Sequence, residues 1–301
     1  MNTIIKTDNL TRVYKSKAAL SGINFSLYEG DICALIGNNG AGKTTLMKTI
    51  AGIIFPSSGS FSLFGDTGSE VLRQRKRIGF VLENNFFENY NAYQNLDYFR
   101  RLKGITDKRI ISEVLRIVDM EKNSKKKFKE YSTGMKQRLG LALALMSHPD
   151  VLVLDEPTNG LDPEGINDMR RLLVDLNRNE NITILVSSHI LSELQSFATR
   201  FVFIDEGKLV GDISREEFDN LNTGKILVTV DDAAKASQIL ESHFDNINYS
   251  VMPNNTISIT DKIEIKQVSK VLINANIGIY EIKNVHETLE EHFLNTVGGK
   301  K

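Results

Sequence analysis

Three short stretches carry residue types at spacings that suit work on a phosphate chain. In LIGNNGAGKTTL, residues 35–46, Gly37 is followed by four residues, then Gly42, Lys43 and Thr44, the P-loop pattern. Glycines at Gly37, Gly40 and Gly42 permit turns at positive φ. The N–H groups of Asn38, Asn39, Gly40, Ala41, Gly42, Lys43, Thr44 and Thr45 can therefore converge on phosphate oxygens. Lys43 can reach the β- and γ-phosphates, the Thr44 hydroxyl can ligate Mg²⁺, and the helix starting near Gly42 adds its positive end. The second stretch is VLVLDEPTNGLD, residues 151–162. A buried strand that ends in two carboxylates is costly unless something cationic waits there. Asp155 would hold Mg²⁺ through its water shell, and Glu156 would polarise an attacking water as general base. The third, YSTGMKQRLGLALAL over 131–145, puts Ser132 and Gly134 at the start of an amphipathic helix, an anion site in its own right. The P-loop already takes this molecule's phosphates, so the second site suits a phosphate held by another subunit.

Each stretch has a plainer reading: a glycine-rich turn without a ligand, or an Asp-Glu pair that marks the exit of a strand. The surrounding pattern favours the chemistry. The runs ICALI (32–36), IGFVL (78–82), VLVL (151–154), ITILVS (182–187) and FVFI (201–204) are continuously apolar, as strands buried on both faces of a largely parallel sheet are. Helical patterns separate them, including GMKQRLGLALALMSH (134–148) and EGINDMRRLLVDLNRN (164–179). The opening TIIKTDNLTRVY and INFSLYEG read as antiparallel strands beside that core. Residues 91–130 carry helices and no clear strand, hence a helical insertion. The expected class is α/β, with a first domain over 1–221, its helical part at about 84–148, and a small α+β domain over 222–301. That last part reads strand, helix, strand, strand, helix, strand, helix, without a catalytic cluster.

Composition excludes several classes. The 301 residues carry 37 Lys and Arg against 38 Asp and Glu, a net charge of −1, so no global field favours nucleic acid or an anionic membrane. The single cysteine, Cys33, lies in an apolar strand and permits no internal disulfide, which suits a reducing compartment. No apolar run approaches the roughly 18 residues that span a bilayer. The start MNTIIKTDNL lacks the charged and apolar segments of a signal peptide. A soluble intracellular protein is expected.

Taken together and in order, these motifs resemble those of the nucleotide-binding subunit of an ABC (ATP-binding cassette) transporter, over residues 1 to about 220. GNNGAGKTT is similar to Walker A and VLVLDEP to Walker B. The resemblance implies a P-loop NTPase cassette that binds ATP and Mg²⁺. It also implies that Tyr14 stacks on adenine, that NGLD ending in Asp162 is the D-loop, and that His189 in VSSHIL is the switch histidine. Two positions depart from the family pattern. The signature usually written LSGGQ reads YSTGMKQ, which keeps Ser132 and Gly134. At the end of IGFVL the family carries a glutamine that ligates Mg²⁺ and senses the membrane partner; here Glu83 stands there. A carboxylate is a good hard ligand for Mg²⁺, and it also brings negative charge toward Glu156. Glu83 with YSTGMKQRLG resembles the bacitracin- and lantibiotic-resistance transporters.

The resemblance therefore implies an ATPase that dimerises on ATP and drives a separate permease from the cytoplasmic face of the membrane, with a peptide as cargo and no nucleic-acid partner. A homodimer is expected, with a heterodimer as the variant. A multidrug or lipid exporter is the alternative cargo class, and a soluble ABC ATPase on ribosomes or DNA the other function; one P-loop and no sustained heptads favour transport. Three further features have plain readings. SKKKFK (124–129) is a solvated basic face, and HETLEEH (286–292) spaces its histidines off one helical face. FFENYNAY (86–93) is either core packing or a surface groove for a permease helix.

Overall fold

The structure, a computed structural model, describes residues 2–82, 85–221, 225–261, 263–285 and 288–291. Glu83, His286, His292 and most of the closing helix read in VHETLEEHFLNTV lie outside the described residues. The chain divides into two compact units, the first running to Arg215 and the second from Glu216.

In the first unit, β1 (Thr3–Tyr14), β2 (Lys17–Ile23) and β3 (Ser26–Tyr28) precede β4 (Ile32–Ile36) and α1 (Lys43–Ile50). There follow β5 (Ser58–Leu63), α2 (Val71–Gln74), β6 (Ile78–Val81), α3 (Ala92–Leu102), α4 (Arg109–Ile117), α5 (Thr133–Leu145) and β7 (Val151–Asp155). Then come α6 (Pro163–Glu180), β8 (Thr183–Ser188), α7 (Leu191–Gln195), β9 (Arg200–Asp205) and β10 (Lys208–Ser214). The main sheet runs β10-β9-β4-β8-β7-β6, with every pairing parallel except β10 on β9. All five residues of β4 are buried. A strand covered on both faces has no polar side to alternate with, which is why ICALI shows no period. β1 pairs antiparallel with β2, β3 and β5 in a separate sheet. Cys33 is fully buried, and burial pushes its thiol pKa up, so it is an inert core residue.

Two readings need correction. The strands β2, β5 and β10 were not anticipated, because KAALSGI, SGSFSL and KLVGDIS each carry a glycine and exposed or partly exposed residues in place of an apolar run. The helix expected over 134–148 as amphipathic is α5, and it ends at Leu145. From Leu139 to Ala142, and again at Ala144 and Leu145, it is buried all round. It lies against β6, where a Cβ on Gly79 would stand 2.8 Å from the Ala144 carbonyl oxygen. Between β6 and β7 the described residues hold helices and no strand, which fits the helical insertion.

After α8 (Arg215–Leu221), the second unit contains β11 (Lys225–Val230), α9 (Ala233–His243), β12 (Tyr249–Met252), β13 (Thr256–Ile259), α10 (Ile265–Asn274) and β14 (Ile279–Val285). Its sheet is antiparallel in the order β12-β13-β11-β14. Ile226, Val228, Val230, Ile257 and Ile259 bury one face with Leu240, Val268 and Leu272 of α9 and α10. The turn between β12 and β13 places Asn254 and Asn255 at φ 61° and 53°, the left-handed region that asparagine tolerates.

Candidate active site

The C-terminal end of β4 delivers the phosphate loop. A Cβ on Gly37 would lie 2.2 Å from the Ile204 carbonyl oxygen. Gly42 caps α1 at φ 116°, where a Cβ would meet the Ala19 carbonyl at 2.7 Å. Both positions therefore admit glycine alone. Gly42→Ala is expected to destabilise the fold by roughly 1–3 kcal/mol, the usual cost of a strained backbone position, and to weaken nucleotide binding; thermal melting and a nucleotide titration check both effects. The loop closes on itself, the Ala41 N–H donating to the Asn38 carbonyl at 3.1 Å. It is also tied outward, the Gly207 N–H donating to the Ala41 carbonyl at 2.9 Å. Lys43 is 5% exposed, and its Nζ donates to the Gly37 carbonyl at 2.6 Å.

The acidic pair faces this loop from the end of β7. The Thr44 hydroxyl donates to Asp155 Oδ2 at 2.6 Å. The Ser187 hydroxyl donates to Asp155 Oδ1 at 2.6 Å, because the parallel register of β7 on β8 sets Asp155 beside Ser187. Glu156 follows at φ 50°, in the left-handed region. Its Oε1 lies 3.4 Å from Lys43 Nζ, and its Oε2 is 2.6 Å from Nδ1 of His189. The turn after Glu156 is tied to α7, Thr158 Oγ1 donating to Glu193 Oε2 at 2.6 Å. A cleft of 430 Å³ joins Asn38, Asn39, Gly40, Gly42, Lys43, Thr44, Thr45, Glu156 and His189, with Ala19 and Asn159 added to the sequence-derived set. Ser187 is the further residue that sequence reasoning missed; its one signal was its place two residues before His189.

Four expected residues lie elsewhere. Tyr14 does not line the cleft; the residue is 42% exposed, and its ring carries the Arg12 guanidinium 4.6 Å over its centroid. Ser132 caps α5, its hydroxyl accepting from the Met135 N–H at 3.3 Å. Asp162 caps α6 in the same way, accepting from the Gly165 N–H at 2.9 Å. Both are exposed. Gly134 packs near the 159–162 turn: a Cβ on it would lie 3.5 Å from Leu161 Cδ2. The N-terminus of α5 thus lies against the turn that follows Asn159, while Ser132 and Gly134 do not line the cleft.

Comparison with known proteins agrees with this arrangement. The family model described as ABC transporter matches residues 20–159. The chain is 39% identical to the bacitracin transport ATP-binding protein BcrA of Bacillus licheniformis, over 99% of each chain. It is 37% identical to the lantibiotic transport ATP-binding protein SrtF of Streptococcus pyogenes, over 72% of this chain and 94% of that one. Among solved structures, the dimeric bacterial ABC transporter cassette MJ0796 aligns with a TM-score of 0.64 and 25% identity, covering 70% of this chain and 99% of that one. A chain that sets a phosphate loop against a paired Asp and Glu, and that shares this identity from end to end, belongs to the ABC transporter family as one of its ATP-binding, ATP-hydrolysing subunits.

Proposed function

We propose that this chain powers a separate membrane permease that exports a peptide antibiotic or a similar amphipathic peptide, acting from the cytoplasmic face of the membrane as a homodimer. The observation that carries the cargo class is the end-to-end match to the bacitracin transport protein, which includes the second unit. The lantibiotic transport protein is almost fully covered by 72% of this chain. Likeness through the remaining quarter therefore favours the bacitracin type over the lantibiotic type.

The geometry supports a role for each residue. The loop N–H groups and Lys43 would hold the β- and γ-phosphates of ATP. Thr44 and Asp155 offer a hydroxyl and a carboxylate, hard oxygen donors of the kind Mg²⁺ prefers, and a bound Mg²⁺ would neutralise charge on those phosphates. A γ-phosphate would draw Lys43 away from Glu156 and free Oε1 for a water. Glu156 then accepts a proton as that water's oxygen bonds to phosphorus and the bond to the bridging oxygen breaks, leaving ADP and phosphate. His189, held on the other carboxylate oxygen, would orient Glu156 and meet the γ-phosphate. Tyr14 would stack on adenine with the ring face that Arg12 leaves open. Ser132 and Gly134, which do not line the cleft of their own chain, would cover a phosphate bound by the second subunit, with Asp162 lying across that interface.

For the permease, the exposed aromatics Phe87, Tyr90, Tyr93 and Tyr98 make a ready contact surface, while Phe86 turns inward against Phe99 and Phe128. The stretch FFENYNAY is thus divided between core and surface.

Glu83 remains a proposal, as catalytic restraint and as Mg²⁺ ligand. If its charge restrains hydrolysis until the permease moves it, Glu83→Gln raises the basal ATPase rate of the isolated subunit; a plain substitute ligand predicts little change, and severe loss would refute the restraint. The cargo class is tested by deleting the gene and measuring inhibitory concentrations. Greater sensitivity to bacitracin-like peptides, restored by the wild-type gene but not by a Glu156→Gln copy, is expected. Unchanged peptide sensitivity with altered efflux of small dyes would overturn it in favour of a drug or lipid exporter.

A further inference from the structure

Ser187 is fully buried, so it cannot meet a nucleotide, yet it sits between the two acids on which the site depends. Its single hydroxyl hydrogen goes to Asp155 Oδ1 at 2.6 Å, and its oxygen accepts the Glu156 N–H at 2.9 Å. A serine hydroxyl has one hydrogen and two lone pairs. The hydrogen is committed to Asp155, and one lone pair to the backbone of Glu156.

Both ends of this bridge matter. Among the described residues, Asp155 takes side-chain hydrogen bonds from Thr44 and Ser187 only. Thr44 belongs to the phosphate loop and must answer to whatever binds there. Ser187 lies on β8, a strand buried along its whole length, and is the partner that stays when Thr44 turns its oxygen to a ligand. At the other end, Glu156 holds φ 50°, a conformation that a non-glycine residue keeps only where its surroundings over-determine it. The bond from its N–H to Ser187, and the bond that its carbonyl accepts from the Asn159 N–H at 3.1 Å, are the two backbone clamps on either side of that angle.

We propose that Ser187 is a positioning residue for hydrolysis, whose one hydroxyl aims the Asp155 carboxylate at Mg²⁺ and fixes the backbone from which Glu156 reaches water. The inference rests on the proposed role of Asp155 as the Mg²⁺-holding acid. Partners behind a metal-holding group are worth roughly 10- to 100-fold in metal affinity or activity.

The test uses the purified full-length chain and a fluorescent ATP analogue, titrated with and without Mg²⁺. In Ser187→Ala the strengthening of binding by Mg²⁺ is expected to shrink about tenfold, with Mg²⁺-free affinity within about twofold of wild type. The steady-state KM for MgATP rises by a similar factor, and kcat falls as well because the backbone of Glu156 loses one of its two clamps. Thr and Val have the same shape and differ by the hydroxyl, so Ser187→Thr should retain the Mg²⁺ gain and Ser187→Val should lose it. An unchanged Mg²⁺ gain in Ser187→Ala would overturn the proposal, as would Thr and Val variants that behave alike. So would an equal loss of binding with and without Mg²⁺, which marks a merely structural role. Asp155→Ala separates the two layers. If it abolishes the Mg²⁺ gain while Ser187→Ala does not, the positioning role alone falls; if it too leaves the gain intact, the reading of Asp155 falls with it.

Discussion

Glu156→Gln is expected to bind ATP as the wild type does and to turn it over roughly 10²- to 10⁴-fold more slowly, the usual worth of a general base. The amide has the shape of the carboxylate, so the short contact with His189 and the turn beyond it can persist. It lacks the basicity to take a proton from water, so chemistry stops after binding. A subunit that closes on ATP and reopens only on hydrolysis should then remain closed: the mutant runs as a stable dimer in ATP on size exclusion, where the wild type dimerises transiently. Turnover at the wild-type rate would show that another group is the base. A mutant that is monomeric in ATP at saturating concentration would instead break the link between hydrolysis and opening.

Lys43→Ala should fail one step earlier. In the structure the residue is 5% exposed and its ammonium is bonded to the Gly37 carbonyl, with Glu156 at 3.4 Å. A cation so placed gives one of the stronger classes of hydrogen bond to a phosphate oxygen. Losing it costs about 1.5–3 kcal/mol, roughly 10- to 150-fold in affinity. Equilibrium titration with a fluorescent ATP analogue reads the loss directly, and ATPase activity disappears with it at ordinary nucleotide concentrations. The melting temperature without nucleotide distinguishes this from simple unfolding. Wild-type affinity in Lys43→Ala would remove the lysine from the phosphate site.

The contrast between these residues and Ser187 shows what a sequence discloses. Lys43 and Glu156 were legible because each sits in a stretch whose types constrain one another: glycines that only a tight loop needs, or carboxylates at the end of an apolar strand. The strand ICALI was legible for the same reason, since burial on both faces leaves no room for a polar residue. Ser187 was not, because its role comes from a register between strands whose contacting residues are 32 apart in the chain. A lone serine beside another serine carries no local mark of that pairing. α5 misled in the opposite way. Its first turns are polar and its remainder apolar, which reads as amphipathic along the sequence although the division runs along the helix rather than around it. Tyr14 sits on an exposed strand end under an arginine, where neither propensity nor spacing fixes the direction of a ring.

The close seat of Ala144 on Gly79 has a mechanical meaning. α5 is held at that end by a contact that leaves no space for a methyl group, while its other end carries Ser132 in the open. Twelve residues separate the two, about 18 Å at the 1.5 Å rise of a helix. The seat on β6 therefore sets where Ser132 stands, and a tilt of α5 by about 10° at that seat would displace Ser132 by ~3 Å, about the length of one hydrogen bond. A side chain at position 79 would push α5 off that seat. On the role proposed for Ser132, Gly79→Ala should weaken ATP-driven dimerisation, read by size exclusion, more than it weakens ATP binding by the isolated chain, read by nucleotide titration.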